Sequence, residues 1–543
     1  MIRALDTTHL RADLVAGITV TLVGLPQCLA YALIAGLPPA YGLTTAAVAG
    51  MVAALAGAAP NIATGPTNTT GLLVLAAIAP YLGANGLLPA EHLALLASLV
   101  LLAAVLRIGL ALVGGGALVR FISTSVLTGF TAGAGILIGL MQLDEALGLE
   151  TVRGTNLWTQ VASILNASDE PKVAAIAIAT ATVVGVAAGK RWFPRFPTPL
   201  VLVVAAAIAA PFIRDAGYAL PIVADAATMP SGWPPFAMPS LDPQVYGELF
   251  LPACAIVMLG TLELTVTLRR TAEPTSMKRE ILAQGIGNAA GAFLGGIPAS
   301  ASLTRSALLE TTGGRTLFAA LASATFVLPV IFFGAGVVGM MPQSSLAGIL
   351  LITAAGMVKR RRVKRIWRTA RASRLLFAVT LVGTITLPFV WAILLGVGVA
   401  LAIQLAISSE PRFTVLDFDG DRLVPHDPAT PSAFIVVEIS GAIFFAAVDA
   451  LDEKIESLVP GDAKYVIVDL SHAHQARLGA IQALEDLDRR LAEKGQKLAL
   501  AGVSPRFHPM LERVDVKIPY TRYAEAPGAA AAACRERLLA DVD

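Results

Sequence analysis

Charged side chains are scarce in this sequence. Asp, Glu, Lys and Arg make up 14% of its 543 residues, where a soluble domain carries about a quarter. Their shortage excludes an ordinary soluble chain. Lys and Arg number 40 against 38 Asp and Glu, so no basic excess points to a nucleic acid partner. Cysteine is almost missing. Cys28, Cys254 and Cys534 stand far apart and are odd in number, so neither a disulfide framework nor metal-ligand spacing follows. His472 and His474 have no cysteine or carboxylate at ligand spacing, and no metal or cofactor is expected. Walker A, G-x-S-x-G and H-E-x-x-H patterns are also missing, so an ATP-driven pump is not supported.

What the chain has is apolar length. Hydrophobic residues reach 56%, with a mean hydropathy of +0.72. Runs long enough to span a bilayer recur from about residue 12 to residue 408. They fall near 14–34, 41–58, 93–112, 117–140, 172–189, 198–213, 247–268, 281–296, 316–340, 345–358, 375–388 and 389–408. The first run reaches Pro26 and Gln27 without a signal-peptide cleavage site and reads as a retained helix. After residue 408 charge returns to ordinary density. Two domains are therefore expected, 1–408 in the membrane and 409–543 in water.

Lys and Arg set the expected orientation. Lys190, Arg191 and Arg195 form one basic cluster, and Arg269, Arg270, Lys278 and Arg279 a second. The third is KRRRVKRIWRTARASR at 359–374. The segments between them lean acidic, with Asp144, Glu145, Glu150, Asp169 and Glu170 in one, and Asp215, Asp225 and Asp242 in another. The basic side is expected to be cytoplasmic, with both termini there. The 359–374 run reads first as a loop that sets topology, with lipid or partner contact as the alternative.

Two shorter segments, 66–80 and 300–312, are broken. Each opens with a proline followed by small and hydroxyl residues, T-G-P-T-N-T-T in the first and I-P-A-S-A-S-L-T-R-S in the second. Interrupted segments at matching places in two halves point to an inverted-repeat transporter, here with repeats at about 12–215 and 245–408. Each broken helix would aim its N-terminus at the midplane, where free N–H groups and the dipole favour an anion. Thr67, Asn68 and Thr69 could donate at one mouth, Ser300, Ser302 and Thr304 at the other, with Arg305 adding a fixed charge. Close helix packing is the competing reading for such small residues.

Glu263 lies about 9 Å into the bilayer, counted from Arg269 at 1.5 Å per residue. Intramembrane carboxylates are costly and usually functional, so it is the candidate proton-coupling or cation-coupling group. A structural salt bridge with Arg305 is the alternative. Gln27 and Tyr31, at i and i+4, share a helix face and could line the same pocket. In the soluble end, 434–440, 464–471 and 497–503 read as strands. The stretches 479–495, 504–514 and 526–540 read as helices, giving a small α/β domain. The stretch from Glu410, EPRFTVLDFDGDRLVPHDPATP, reads as a polar linker and domain entry.

These motifs also resemble a family. GLPQCLAYALIAGLPPAYGL (24–43), ATGPTNTTGLLV (63–74) and REILAQGIGNAAGAFLGGIPASASLTRSALLETTGGRT (279–316) are similar to signatures of the sulfate permease family. The soluble end resembles the STAS domain that follows in that family. The resemblance implies an α-helical polytopic membrane protein of fourteen segments in a 7+7 inverted repeat. It also implies core and gate domains of the kind found in uracil transporters, an elevator motion and a homodimer. By the same resemblance, Gln27, Tyr31, Pro66, Thr67, Thr304 and Arg305 would form the substrate site, with Glu263 beside it. Two features depart from the family pattern. Thr67 stands where many relatives have Phe, which leaves room and a donor for a larger or more polar anion. Arg477, Leu478, Gly479 and Ala480 replace the phosphorylatable STAS loop, which weakens any regulation there.

The resulting expectation is a bacterial inner-membrane secondary transporter of a small anion, a proton symporter of a fumarate-like dicarboxylate. Sodium-coupled bicarbonate or sulfate transport is the rival, with Thr265 and Thr267 as further oxygen ligands near Glu263. An uncoupled channel or exchanger, a voltage-responsive motor and an anion sensor are the rivals outside coupled transport.

Overall fold

The computed structural model describes residues 9–83, 86–114, 123–151, 157–193, 196–226, 232–268, 277–408, 412–419, 422–427, 431–443, 451–474, 478–523 and 528–540. Arg195, Arg269, Arg270 and Arg477, and the start of the 117–140 run, lie outside them. The chain divides into two compact units, Met1–Ala400 and Leu401–Asp543.

In the first half of the chain the main helices are α1 (Leu10–Ile34), α2 (Pro39–Ala56), α3 (Asn68–Ile78), α4 (Leu93–Leu112), α5 (Thr124–Met141), α6 (Val173–Trp192) and α7 (Thr198–Asp215). The second half gives α8 (Pro243–Leu268), α9 (Met277–Phe293), α10 (Leu303–Thr311), α11 (Leu317–Thr325), α12 (Gln343–Met357), α13 (Arg371–Thr386) and α14 (Phe389–Ser408). Among the described residues seven helical spans are by themselves long and apolar enough to cross a membrane. The two halves match in order: a long first helix with an internal proline, Pro26 or Pro252, then a full helix, then a short one. The expected continuous run at 316–340 is instead three pieces, α11, Leu328–Phe333 and Ala335–Gly339. Pro329 starts a new turn there and Gly334 ends it, because proline lacks the N–H that would continue the preceding helix.

Helix contacts sort these elements into two bundles. Helices α1, α2, α3, α4, α8, α9, α10 and α11 pack mainly on one another, and α5, α6, α7, α12 and α13 on one another. Gly396 sets α14 against α5 and α13. Small residues let the backbones approach, because lipid gives no hydrophobic drive for helix association. A Cβ on Gly42 would overlap the Cys28 carbonyl oxygen, and one on Gly287 would lie 2.8 Å from the Ala49 oxygen.

The C-terminal unit is a sheet in the order β4-β3-β5-β6-β8-β9, with β7 paired to β5. Its strands are β3 (Arg412–Asp419), β4 (Arg422–Pro425), β5 (Phe434–Ala442), β6 (Tyr465–Asp469), β7 (Ala473–His474), β8 (Lys497–Val503) and β9 (Tyr520–Arg522). Side chains alternate between its faces. Ile435, Val437, Val466, Val468 and Leu500 pack with Ile455 of α15 (Leu451–Leu458) and with Leu484, Leu487 and Leu491 of α16 (Leu478–Glu493). Between β8 and β9 runs α17 (His508–Val514). Val436, Ile467 and Ala499 pack on the other face against Ala531 and Cys534 of α18 (Ala529–Ala540).

The stretch expected as a polar linker is largely β3 and β4, an antiparallel hairpin joined to β5. Asp417 ties it down. Ser432 donates to its carboxylate at 2.6 Å and His426 lies 3.2 Å away. Partial burial pushes the Asp417 pKa up, but the bonds from Ser432, His426 and the Phe418 N–H outweigh this and hold it below the usual range.

Replacing Gly42 by Ala is expected to destabilise the detergent-solubilised protein by about 1–3 kcal/mol through overpacking. Gly109→Ala, with open space around the new Cβ, is expected to be neutral or to stabilise by up to about 1 kcal/mol. Thermal unfolding of the two variants side by side checks the pair.

Candidate anion site

Backbone that is unwound inside a membrane must find hydrogen bonds within the protein. Two short strands do this here. β1 (Thr64–Gly65) pairs antiparallel with β2 (Ser300–Ala301), Thr64 opposite Ala301 and Gly65 opposite Ser300. Ser302 N–H then donates to the Ala63 oxygen at 2.9 Å. Helix α3 starts just after β1 and α10 just after β2, so the ribbon fixes where both broken helices begin.

The two helix starts differ. Thr67 caps α3: its Oγ1 accepts from Thr70 N–H at 3.2 Å while Thr70 Oγ1 accepts from Thr67 N–H at 3.1 Å. Asn68 Oδ1 accepts from Thr69 N–H. Most first-turn donors of α3 are thereby spent on its own side chains. At α10, Ser302 Oγ accepts only from Arg305 N–H, at 3.4 Å. Among the described residues the Leu303 and Thr304 N–H groups have no acceptor.

Arg305 sits in the first turn of α10 and is 6% exposed. Its Nη2 donates to the Pro66 oxygen at 2.8 Å and its Nη1 to Cys28 Sγ at 3.3 Å. It therefore bridges α10 to the β1 turn and to α1. Gly65 makes room for it: a Cβ there would lie 2.8 Å from Nη1. Arg305 Nε and Thr64 Oγ1 are buried without a partner among the described residues. Both residues line a cavity of about 20 Å³, room for about one water. A larger anion requires this cavity, which lies within the first bundle, to widen.

Glu263 is half-buried on α8. Thr67 Oγ1 donates to its Oε2 at 3.3 Å, and Thr69 Oγ1 donates to Oε1. Ser300 Oγ, on β2, donates instead to the Gly260 oxygen at 3.2 Å, one turn before Glu263. The carboxylate is thus held by hydroxyls of the first broken segment. Arg107 of α4 is the cation within charge range of it, and no ion pair joins the two among the described residues. No ion pair joins Glu263 to Arg305 among the described residues, so the salt-bridge alternative is not the arrangement found.

Arg107 is missing from the sequence-level candidates, although an arginine inside an apolar helix is a standard signal of function. It is 1% exposed. Its Nη1 donates to the Ala299 oxygen at 2.8 Å and to Gln284 Oε1 at 3.2 Å, while Nε and Nη2 have no protein partner. Gly260, one turn before Glu263, leaves space for the guanidinium. Asn288 clamps Ala299 from α9, accepting from its N–H at 2.6 Å and donating to its oxygen at 3.1 Å.

The other candidates fall into three groups. Tyr31 is buried and within charge range of both Arg305 and Glu263. Gln27 is half-buried one turn earlier on α1. Asn68 points away, donating to Met357 Sδ on α12 at 2.7 Å, and Thr304 is exposed. Thr265 and Thr267 hydroxyls donate to the backbone oxygens of Thr261 and Glu263, so they do not join the carboxylate cluster. Thr67, expected as a spare donor for substrate, is committed to the cap and to Glu263.

Two inverted halves, each with a short helix that begins at a shared internal ribbon, define a broken-helix transporter. Residues 10–380 match the sulfate permease family and residues 426–520 the STAS domain. The chain is 26% identical over 525 residues to the probable sulfate transporter MT1781 of Mycobacterium tuberculosis, covering 93% of this chain and 92% of that one. It is 25% identical over 535 residues to the bicarbonate transporter BicA of a Picosynechococcus species, covering 94% and 91%. In fold it is similar to SLC26A9, with a TM-score of 0.85 at 17% identity, over 98% of this chain and 91% of that one. The chain belongs to the sulfate permease family of multi-pass anion transporters and carries a C-terminal STAS domain. Its curated relatives are named as transporters, not as enzymes.

Proposed function

We propose that the protein is a proton-coupled symporter of a small oxyanion, working by an elevator motion of one helix bundle against the other. Arg305 and the start of α10 receive the anion, with Tyr31 and Gln27 lining the place. A fumarate-like dicarboxylate is the leading substrate; sulfate and bicarbonate are the alternatives suggested by the relatives' names. The observation that carries coupling is Glu263, a half-buried carboxylate bonded by Thr67 and Thr69 at the start of α3. The first broken segment therefore responds to its protonation. A protonated carboxyl loses its demand for both donors and adds one positive charge to the site.

Arg107 acts in this reading as the positioning charge for Glu263. With the carboxyl ionised, Arg107 is its counter-ion. When a proton from solvent neutralises Glu263, the Arg107 charge is left uncompensated and the substrate anion balances it. Proton and anion occupancy are thereby linked. Sodium coupling is the second reading, favoured by the oxygens gathered around Glu263; the guanidinium already beside the carboxylate weighs against a second cation. A bacterial inner membrane, both termini cytoplasmic, and a homodimer complete the proposal.

Uptake into proteoliposomes is the test, with labelled fumarate, sulfate and bicarbonate, each with a proton or a sodium gradient. One anion is expected to accumulate only with the proton gradient; accumulation driven by sodium alone would replace the proton reading. Glu263→Gln is expected to lose gradient-driven accumulation while keeping exchange, and an unchanged pH profile would remove its coupling role. Arg305→Ala is expected to weaken anion binding about 10- to 100-fold in a monodisperse sample.

Arg107→Gln has its own signature. A cation within charge range favours an ionised carboxylate. Removing it is expected to move the pH midpoint of uptake upward, with Arg107→Lys close to wild type. A uniform loss at every pH, with an unmoved midpoint, would make Arg107 merely structural.

A further inference from the structure

The run from Lys359 to Arg374 holds nine cations, seven of them arginine, and the sequence has no Asp or Glu between residues 351 and 409. Its centre is a short helix, Arg360–Trp367. Ile366 is buried against Ala132 of α5 and Phe377 of α13, with Val363 and Val358 beside it. That contact fixes the roll of the helix and leaves its other side free. Arg360, Arg361, Lys364, Arg365, Arg368 and Arg371 are exposed, and none has an ion-pair partner among the described residues. Trp367, at the end of the helix, is 57% exposed.

We propose that this surface binds the anionic phospholipid headgroups of the adjacent leaflet. The helix begins three residues after α12 ends and stops four residues before α13 starts. Three residues reach about 10 Å at most, and the headgroup layer is itself about 5–8 Å deep on each side. The short connections therefore keep the exposed guanidinium groups close to the ends of α12 and α13. Arginine forks match phosphate oxygens bidentately, and an exposed tryptophan suits the same layer. Setting topology requires only that positive charge be present; it does not require a helix docked by Ile366 with its cations turned outward.

The helix is mounted on α5 and α13, both in the second bundle. On the elevator reading, the anionic leaflet holds that bundle still while the other moves, so anionic lipid should raise turnover more than affinity. Only this consequence rests on the proposed function; headgroup binding does not.

The full chain, purified in detergent, would be offered phosphatidylglycerol and phosphatidylcholine, and lipid retention read by native mass spectrometry. Wild type is expected to retain phosphatidylglycerol several-fold over phosphatidylcholine. The combined variant Arg361→Gln, Lys364→Gln, Arg365→Gln, Arg368→Gln, which leaves Ile366 and Val363 in place, is expected to lose that preference. The same four positions as Lys or Arg in every case should keep most of it. Equal retention of the two lipids by wild type overturns the proposal, as does an undiminished preference in a neutralised variant whose topology is verified by cysteine accessibility. Inorganic phosphate that strips the lipid far better than chloride at equal ionic strength would also overturn it, in favour of a soluble-anion site. Cross-linking of residues 360–371 to acidic residues of 409–543 would assign the surface to protein instead. In proteoliposomes, adding phosphatidylglycerol is expected to raise the uptake rate several-fold at an unchanged half-saturating concentration. An unmoved rate with lipid binding intact removes only the anchoring consequence.

Discussion

The pairing of β1 with β2 is the constraint on which the membrane unit depends. A helix that starts in the middle of a bilayer exposes backbone that lipid cannot satisfy. Here two such breaks satisfy each other, through Thr64–Gly65 and Ser300–Ala301. Each half of the chain therefore needs the other to complete its third element. The same pairing sets the two helix starts side by side and brings Arg305, Glu263 and the threonines of α3 into one small volume.

That volume is organised by charge. Arg305 is held by Pro66 and Cys28, and Arg107 by Ala299 and Gln284. Both arginines thus bond to backbone next to the ribbon, Arg305 just after β1 and Arg107 just before β2. Glu263 accepts from the hydroxyls of Thr67 and Thr69, which project from the segment after β1. Two guanidinium groups against one carboxylate leave the site with a positive excess whatever the protonation of Glu263. A family that moves anions has use for such an excess, and the apolar surroundings give it reach.

Much of this was legible from residue patterns. Apolar runs located most of the membrane helices because spanning length and composition leave few alternatives. The proline and hydroxyl punctuation located both broken segments, and Arg305 and Glu263 stood out as charge where charge is costly. The alternating strands 434–440 and 497–503 were equally plain. Other features were hidden. The hairpin β3–β4 looked like a linker because its residues alternate only weakly and Asp417 is satisfied by Ser432 and His426, fifteen and nine positions away. The 316–340 run is apolar throughout, and its breaks at Pro329 and Gly334 are visible only as local exceptions.

The sequence by itself determined that this is a membrane chain with a small α/β domain, where its helices break, and which charges lie within apolar runs. Those properties are local: they follow from composition, periodicity and backbone chemistry within a few turns. Only the tertiary structure decided who pairs with whom. Arg107 and Glu263 are 156 positions apart, and Arg305 and Pro66 are 239 apart. Asn68 turned toward α12, Thr67 became a cap, and Arg107 rather than Arg305 became the cation beside Glu263. Such choices depend on which helices cross and at which small residue they touch, and a linear pattern carries no record of that.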